Sequence, residues 1–534
     1  MKKLLGIVLV LALVLSFSFV MATPVVAAIT TVGPGGAPTY DYATIQEAID
    51  AASPGEIIEV AAGTYQERIT IHAHLVGLQL RGAQYGVDAR DRTGADESII
   101  GGDWAVVPET GGIWIRADDV VIDGFTIEPH VDFWGMIRPS GAGITISNNI
   151  IRRTIGVFRT ERLTVERNWF VDPRAGTREQ GRGFYCEGAT DLTIIDNRFT
   201  DMGYAAIVLG SPHDYINTTI TGNEIYQTQS YAITVAGSSQ TNLKIENNII
   251  EHAGLQYPQS EYWKGRGAIH LHPVPHDNLS IQGNRLLYSV SGITFILYTP
   301  TVADWTDVTI ENNFIGYNYY GIYMTDYAGA VPGGISAHNN AISCNVWGAF
   351  TYGKPFDATN NWWGSNDGPG GAGPGSGDPV RASVIYDPWL VLTLTADPPS
   401  VSPGGSSVIT ADVTTNSDGD DTGASIPDGT PILFATSSSS VDPELAFAAD
   451  GVATTTYTAG TVPGTVSATA PCYPENIELV DIPLAPVSAP RDYVVGWEGS
   501  AIDKVGVMAP WIGLLAGLMA GAGLLALRRR QTQS

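Results

Sequence analysis

One short pattern of apolar and polar positions recurs along the middle of the chain. It reads apolar, any residue, apolar, two polar residues, Asn, any residue, apolar, as in 144–151 and 243–250. The Asn positions of the copies, some of them weaker matches, are Asn149, Asn168, Asn197, Asn223, Asn248, Asn284, Asn313, Asn340 and Asn361. The steps between them are 19, 29, 26, 25, 36, 29, 27 and 21 residues. A period in the twenties with strand-like segments is typical of a solenoid.

Each copy alternates with a period of two and is rich in β-branched residues, which predicts a β-strand. A second strand is predicted later in each unit, at 206–209, 232–235, 268–271, 292–295 and 321–324. Three short strands per turn predict an all-β fold, a right-handed parallel β-helix. A propeller or a sandwich would need antiparallel hairpins with tight turns, which the repeats do not supply. We expect the Asn at a turn, because Asn tolerates left-handed backbone, with its amide bonded to the Asn of the next rung.

A solenoid needs a cover at each end. Residues 42–52 place Ile45, Ala48, Ile49 and Ala52 on one helical face, and Pro54-Gly55 then ends the helix. This segment predicts an N-terminal helical cap. At the other end, aromatic residues at 361–364 and 387–390 flank a Gly/Pro-rich loop and could cover the last rung.

These end segments carry a family resemblance. Thr44-Ile-Gln-Glu-Ala-Ile-Asp50, Pro54-Gly55 and Gly63-Thr-Tyr65 resemble the opening of pectin-lyase-like parallel β-helix proteins. Asn361-Trp-Trp-Gly364 with Pro388-Trp-Leu390 is similar to the ending of surface β-helix repeat proteins and their periplasmic copper-binding relatives. The resemblance covers residues 40–390. It implies a fold and not an activity, since this fold carries lyases, esterases, hydrolases, epimerases and adhesins.

The composition changes after residue 390, where Thr and Ser increase and aromatic residues decrease. Segments between 391 and 470 alternate like the strands of a β-sandwich. The turns at Asp397-Pro398, Asp428-Gly429 and Asp450-Gly451 resemble the bacterial Ig-like domain of invasins and intimins, which implies a spacer. Residues 471–504 are Pro-rich and predict an irregular stalk. The solenoid, with its N-terminal cap, is assigned to 29–390.

The two termini predict the compartment. Residues 1–28 have the basic start, apolar run and small-residue end of a secretory signal peptide, although a retained anchor has a similar pattern. The apolar run 505–527 rises ~1.5 Å per residue, enough for one transmembrane helix, unless it is a sorting tail that is removed. The arginines that follow predict a cytoplasmic tail at 528–534. We therefore expect a protein that is secreted to the cell surface and anchored there by this helix. Most of the chain would then be extracellular.

Charge narrows the class of partner. The chain has 28 basic and 54 acidic residues, a net charge of −26, which argues against nucleic acid as a partner. The three cysteines are Cys186, Cys344 and Cys472. Cys186 and Cys344 are predicted about six rungs apart, beyond disulfide reach, so no intramolecular disulfide is expected.

The best candidate for chemistry is the long unit between Asn248 and Asn284. His270 and His272 are two residues apart on a strand and should point outward on the same side. The adjacent insertion supplies further candidates, which are Glu261, Tyr262, Trp263, Lys264 and Arg266. We predict that His270, His272, Lys264 and Glu261 are catalytic, since Lys and His can abstract and return a proton. Trp263, Tyr262 and Arg266 are predicted to bind the ligand. A solvated loop packed against the histidines is the plainer alternative.

Nine arginines fall between 138 and 182 against four acids, which suits capture of carboxylate or sulfate groups. Arg152, Arg153 and Arg159 are the predicted ligand-binding members, with pairing to acids on neighbouring rungs as the alternative. No metal site is predicted, since two histidines at this spacing lack a third ligand. No cofactor is expected apart from Ca²⁺, for which Asp418, Asp420 and Asp421 are candidates beside a solvated-loop alternative.

These features predict a surface-anchored β-helix protein that binds, and in one version processes, an extracellular polysaccharide, with an anionic one favoured by the arginines. The alternatives are an adhesin or surface-layer component without catalysis, and a polysaccharide lyase or epimerase; a hydrolase is a further enzymatic version. Outward aromatic rings along a groove would favour a sugar ligand. A flat face coated with Thr and Ser would favour the adhesin.

Overall fold

The computed structural model describes residues 28–101, 112–128, 137–152, 154–171, 181–255, 266–297, 305–326, 334–352, 355–423, 425–469 and 478–482. Three long parallel sheets, named sheets 1 to 3 by their order in each turn, form a solenoid over most of this range. The chain passes from sheet 1 to sheet 2 to sheet 3 and returns to sheet 1 one rung further on. The all-β parallel β-helix predicted from the repeats is therefore present.

The strands of sheet 1 are Ile29–Val32, Ile57–Val60, Gln79–Arg81, Val121–Asp123, Thr145–Ser147, Thr160–Glu161, Thr164–Glu166, Ala189–Ile195, Tyr215–Thr221, Gln240–Glu246, His276–Gln282, Trp305–Glu311, Ile335–His338, Phe356–Asp357 and Val384–Ile385. Those of sheet 2 are Gly63–Tyr65, Ser98–Ile100, Phe125–Ile127, Ile150–Ile151, Trp169–Val171, Arg198–Thr200, Glu224–Thr228, Ile249–Ala253, Arg285–Leu287, Phe314–Gly316 and Ala341–Ser343. Those of sheet 3 are Ile69–Ile71, Ile113–Ile115, Ile137–Pro139, Ile155–Val157, Arg182–Cys186, Ala205–Leu209, Tyr231–Val235, Ile269–Leu271, Ser291–Leu297, Tyr320–Asp326, Trp347–Thr351, Pro369–Gly371 and Gly377–Val380.

The core is a continuous apolar column inside the three sheets. Alternate residues of each strand point inward, so Val165 of one rung pairs in register with Ile194 of the next. One buried cluster runs from Val32 to Val384. His276 also points inward and packs against the Trp305 ring at 4.3 Å. Burial lowers its pKa from 6.5 to about 4.

The repeated Asn residues form the predicted ladder at the corner between sheets 1 and 2. Eight successive side-chain pairs, from Asn149 to Asn361, are bonded through Nδ2–H to the Oδ1 of the next rung at 2.9–3.1 Å. The backbone N–H of each member except the last, Asn361, donates to that same Oδ1, as Asn248 does to Asn284 at 3.0 Å. Because each amide is buried and satisfied, the ladder holds neighbouring rungs in register.

The turn at this corner differs from the prediction in one respect. The left-handed backbone belongs to the residue before each ladder Asn and not to the ladder Asn itself. These residues are Asn148, Arg167, Asp196, Gly222, Asn247, Gly283, Asn312, Asn339 and Asn360, with φ between 51° and 66°. Eight of the nine are Asn, Asp or Gly, the types that occupy this region at least cost. The turn and the ladder therefore use adjacent residues.

Both ends of the solenoid are covered. Helix α1 (Ile45–Ala51) begins after Thr44, whose hydroxyl accepts from the Glu47 N–H, and it buries Ile45, Ala48 and Ile49. The predicted cap is therefore a helix, shorter than 42–52. At the other end, Trp363 is fully buried and belongs to the same core, and Trp389 packs against that core. A short 3-10 helix, Ala89–Asp91, lies in the loop between the third strand of sheet 1 and sheet 2.

Two antiparallel four-stranded sheets follow the solenoid. One contains Leu390–Asp397, Ser406–Asn416, Val452–Thr458 and Ser440–Asp442, and the other Leu445–Phe447, Pro431–Thr436, Gly464–Thr469 and Glu478–Ile482. Their shared core includes Phe434 and Tyr457 and continues onto Leu287, Phe314 and Trp362 of the solenoid. The sandwich thus packs against the C-terminal part of sheet 2. The strand Glu478–Ile482 pairs with Gly464–Thr469. Part of the segment predicted as an irregular stalk, 471–504, is therefore a strand of the sandwich.

The cysteines differ from one another. Cys186 points into the core as a free thiol, and burial raises its pKa to about 12. Cys344 is disulfide-bonded and only partly buried, so the prediction of no disulfide is wrong at this position. The distance argument concerned Cys186 and Cys344, and Cys472 lies outside the described residues.

The predicted signal peptide, transmembrane helix and tail also lie outside the described residues, except for residue 28. None of the described helices is long and apolar enough to span a membrane.

Candidate functional site

The outer face of sheet 3 brings together most of the unusual side chains of the solenoid. One outward row crosses seven successive rungs in register, and it consists of Tyr185, Val208, Thr234, His270, Thr294, Tyr323 and Phe350. At ~4.8 Å per rung, the six steps span roughly 29 Å. The row is aromatic at both ends and polar at its centre.

His270 occupies the centre of this row. The ring is fully buried, stacked on Tyr231 with a centroid distance of 4.4 Å, and its Nδ1 lies 3.3 Å from the Thr234 hydroxyl. Its Nε2 has no hydrogen-bond partner among the residues that the structure describes. Burial, and then the neighbouring His272 and Arg266, hold its pKa well below 6.5, so the imidazole is neutral at pH 7.

His272 and Arg266 lie beside His270. The two histidine rings meet edge to face at 4.7 Å, so both lie on the outer side of sheet 3 as the spacing predicts. The expectation that both are open to solvent is wrong for His270. The Arg266 guanidinium lies 5.7 Å from the Tyr231 ring centroid. Glu261, Tyr262, Trp263 and Lys264 lie outside the described residues, so their predicted roles stay predictions.

An aromatic cluster, here called the first aromatic cluster, lies at the N-terminal end of this row. It comprises Arg182, Tyr185, Tyr204 and Tyr231. The Arg182 guanidinium lies 4.4 Å from the Tyr185 ring centroid, and Tyr204 meets Tyr231 edge to face at 5.7 Å. The Tyr185 hydroxyl donates to Glu187 at 2.6 Å. Burial and this carboxylate raise the pKa of Tyr185 to about 12, so its hydroxyl stays protonated.

A second aromatic cluster lies at the C-terminal end of the same face. Tyr320 stacks on Tyr323 at 4.3 Å, and both rings contact Phe350. Trp347 and Tyr352 meet Phe350 at 5.1 Å, and the Arg381 guanidinium lies 4.3 Å from the centroid of that ring. The cluster comprises Tyr319, Tyr320, Tyr323, Trp347, Phe350, Tyr352 and Arg381. Sequence reasoning missed both clusters, although aligning all the second strands would show most of their rings in adjacent columns.

The predicted arginine residues do not gather on this face. Arg152 and Arg159 lie beyond opposite ends of the strand Ile155–Val157, and Arg153 is outside the described residues. Arg152 is 3.5 Å from Glu128, and Arg162 is 3.3 Å from Asp119, both across rungs. Arg159 lines a cavity of about 520 Å³ at the corner between sheets 3 and 1. Arg152 and Arg159 therefore lie at different corners of the solenoid, and the ligand-binding roles of Arg152, Arg153 and Arg159 stay predictions.

The candidate calcium ligands are exposed in a loop. Asp418, Asp420 and Asp421 follow the strand Ser406–Asn416, where Asn416 Oδ1 accepts the backbone N–H groups of Asp418 and Asp420. Across the described ranges, no group of three or more His, Cys, Asp or Glu is arranged to hold a metal ion.

The outer face of sheet 1 has a different chemistry. A row of half-buried hydroxyl side chains, interrupted once by a lysine, crosses eight rungs in register, and it consists of Thr145, Thr164, Thr193, Thr219, Lys244, Ser280, Thr309 and Ser336. Beside it the strands present Glu166, Glu246 and Glu311. This is the flat, Thr/Ser-coated surface that the sequence analysis associates with an adhesin.

Two family profiles match the solenoid. One, described as Right handed beta helix region, matches residues 182–362, and one described as Protein of unknown function (DUF1565) matches residues 32–256. The first description confirms the right-handed parallel β-helix predicted from the repeats. No curated protein matches the sequence.

Several solved structures are similar in fold. A complex of XylC with xylose shares 10% identity over 72% of this chain and 89% of that one, with a TM-score of 0.41. An alginate lyase from Paenibacillus sp. str. FPU-7 shares 12% over 64% and 96%, with a TM-score of 0.33. Pectate lyase Pel9A shares 16% over 62% and 78%, with a TM-score of 0.27. Because these TM-scores are below 0.5, nothing about the ligand or the activity of this chain is inferred from them.

Proposed function

We propose that this protein binds an extended extracellular polysaccharide along the outer face of sheet 3. The observation that carries the proposal is the pair of aromatic clusters, each with an arginine over its rings, at the two ends of the outward row of sheet 3. Aromatic rings offer flat apolar surfaces on which sugar rings stack, and guanidinium groups donate to hydroxyl and carboxylate oxygens. The two clusters lie several rungs apart at ~4.8 Å per rung, so a ligand that reaches both must contain several sugar units.

The rest of the chain supports display of this face. The sandwich packs against sheet 2 and so leaves the aromatic clusters of sheet 3 uncovered by it. In our proposal the sandwich is an invasin-type Ig-like spacer, the segment from 483 to 504 is the stalk, and 505–527 is the membrane anchor. The signal peptide at 1–28 would then place the solenoid outside the cell.

A matched pair of tyrosines tests the binding proposal. Tyr352 in the second aromatic cluster and Tyr288 at the corner between sheets 2 and 3 are both 46% exposed. The full-length protein in detergent is screened on a glycan array, and affinity for the bound glycan is then measured for Tyr352→Ala and Tyr288→Ala. Losing one stacked ring should weaken binding about tenfold in Tyr352→Ala, with no change in Tyr288→Ala. Equal effects, or a wild-type protein that binds no glycan, would contradict the proposal.

Catalysis is a second candidate, favoured by one observation. Among the described residues, the Nε2 of the neutral, buried His270 has no hydrogen-bond partner, and a proton acceptor needs a nitrogen that is not already bonded. We propose that in a lyase or epimerase version His270 would take the proton, with Lys264, Glu261 and His272 as its helpers. Mass spectrometry of a bound glycan after incubation tests this. His270→Gln should abolish product formation while retaining most of the binding. If the wild-type protein leaves the glycan unaltered, catalysis is refuted and the protein is a binding protein or an adhesin.

A further inference from the structure

Arg381 lies against three aromatic rings of the second aromatic cluster. It follows the strand Gly377–Val380, and its backbone N–H donates to Ala349 on the preceding rung. Its guanidinium lies 4.3 Å from the centroid of Phe350 and 5.7 Å from those of Trp347 and Tyr352. Three rings of one strand end therefore hold the cation that follows the adjacent strand. Of these side chains, Phe350 is buried, Trp347 is half-buried, and Tyr352 and Arg381 are exposed.

The charge of Arg381 is not neutralised within the part of the chain that the structure describes. Its side chain has no carboxylate within salt-bridge distance there, whereas Arg152, Arg162, Arg167 and Arg198 each have one. Stacking on aromatic rings uses the flat face of a guanidinium and leaves the N–H groups at its edge available. A planar group fixed in this way has lost much of its conformational entropy before any ligand arrives.

We propose that Arg381, held by Trp347, Phe350 and Tyr352, is a subsite for an anionic group of the polysaccharide. The group is a carboxylate or a sulfate, because both accept two parallel hydrogen bonds from a guanidinium edge. This inference rests on the proposed function and adds the ligand class. It places the anionic unit at the C-terminal end of the sheet 3 face, and not at the arginine-rich stretch that the sequence suggests.

The test compares polymers that differ only in charge. Binding of the full-length protein to polygalacturonate and to its fully methyl-esterified form covers the carboxylate, and dextran sulfate against dextran covers the sulfate. The wild-type protein should prefer one charged polymer about tenfold or more, and Arg381→Gln should remove that preference. Arg381→Lys should retain only part of it, because an ammonium keeps the charge without the two-pronged edge. The preference should also decrease with salt.

Arg285 provides the control. It is exposed and lies 5.7 Å from the Phe314 ring, but on the outer face of sheet 2. Arg285→Gln should leave all four affinities unchanged, and melting temperatures identify any variant that is misfolded. If wild-type protein and Arg381→Gln bind a charged polymer and its neutral form equally, the anionic subsite is refuted while glycan binding stands. If neither member of either pair binds, and the glycan array is also negative, the proposed function itself is refuted.

Discussion

The outer faces of sheets 1 and 3 belong to the same rungs and yet differ in almost every respect. Sheet 1 presents a hydroxyl row that is interrupted once by a lysine, with glutamates beside it on three of its rungs. Sheet 3 changes along its length, from the first aromatic cluster through His270 to the second. A repeating backbone therefore does not impose a repeating surface, because outward side chains need not fill the apolar column that the inward ones share. The face that breaks the repeat is where we place the ligand.

The largest expected effect comes from removing the scaffold that both faces share. Asn248→Leu deletes bonds to Asn284 Oδ1 and to the Ile220 carbonyl, and it leaves the Asn223 amide without its acceptor. Several buried polar groups become unsatisfied, so the free energy of unfolding should fall by about 3–5 kcal/mol. Urea unfolding followed by circular dichroism measures it. Asn242→Gly, in a side-chain ladder at an exposed left-handed position, should cost about 1 kcal/mol or less. Equal costs would mean that the buried ladder does not set rung stability.

One substitution on each face compares how much the two faces contribute to the free energy of unfolding. Tyr323 on sheet 3 is 3% exposed and stacks on Tyr320, so Tyr323→Ala should lower the free energy of unfolding by about 3 kcal/mol. Thr219→Val, in the hydroxyl row of sheet 1, exchanges one β-branched residue for another and should change it by less than ~0.5 kcal/mol. The same urea titrations measure both. If Thr219→Val proves as costly as Tyr323→Ala, the hydroxyl row is structural and the contrast drawn between the faces is wrong.

The third prediction concerns the pH dependence of stability. It depends on His276, which is buried at the corner between sheets 3 and 1. The pKa of His276 is about 4 when folded and near 6.5 when unfolded, so the unfolded chain binds more protons between these values. Stability is then complete above pH 6.5 and decreases as the pH falls towards 4. At pH 5 the loss from this residue should be about 2 kcal/mol.

His276→Phe should remove that part of the pH dependence. The variant and the wild-type protein are unfolded in urea at pH 7 and pH 5, and the difference between the two pH values is compared. His272→Phe is the control, because His272 is only half-buried and its loss should alter the pH dependence less. An identical pH dependence in His276→Phe and wild type would show that His276 is protonated as easily in the folded protein as in the unfolded chain.

The features that repeat were predictable. Each ladder Asn carries its flanking strand pattern with it, so Asn248 or Asn313 indicates both a rung and its register. The Asn ladder and the shared outer side of His270 and His272 follow from period and register alone. The cover over His270 does not, because register shows which way a side chain points and not what packs on it. Arg381 follows a Gly/Pro-rich loop with no repeat, so no periodic signal connects it with Phe350.

The direction of the Asn ladder has a consequence for how such a protein can change in length. Every interior Asn accepts a hydrogen bond from the Asn of the rung before and donates one to the Asn of the rung after. Any interior rung could therefore be duplicated without altering the hydrogen bonds of its neighbours. Only the two ends are distinct, with Asn149 Oδ1 accepting from the Phe125 backbone and Asn361 donating to the carbonyls of Ala337 and Ala358. Duplication or deletion of one whole repeat would therefore leave the ladder continuous, whereas a partial repeat would interrupt it. Natural variation in such a chain should come in units of a full turn, each of which lengthens or shortens the ligand face by one step.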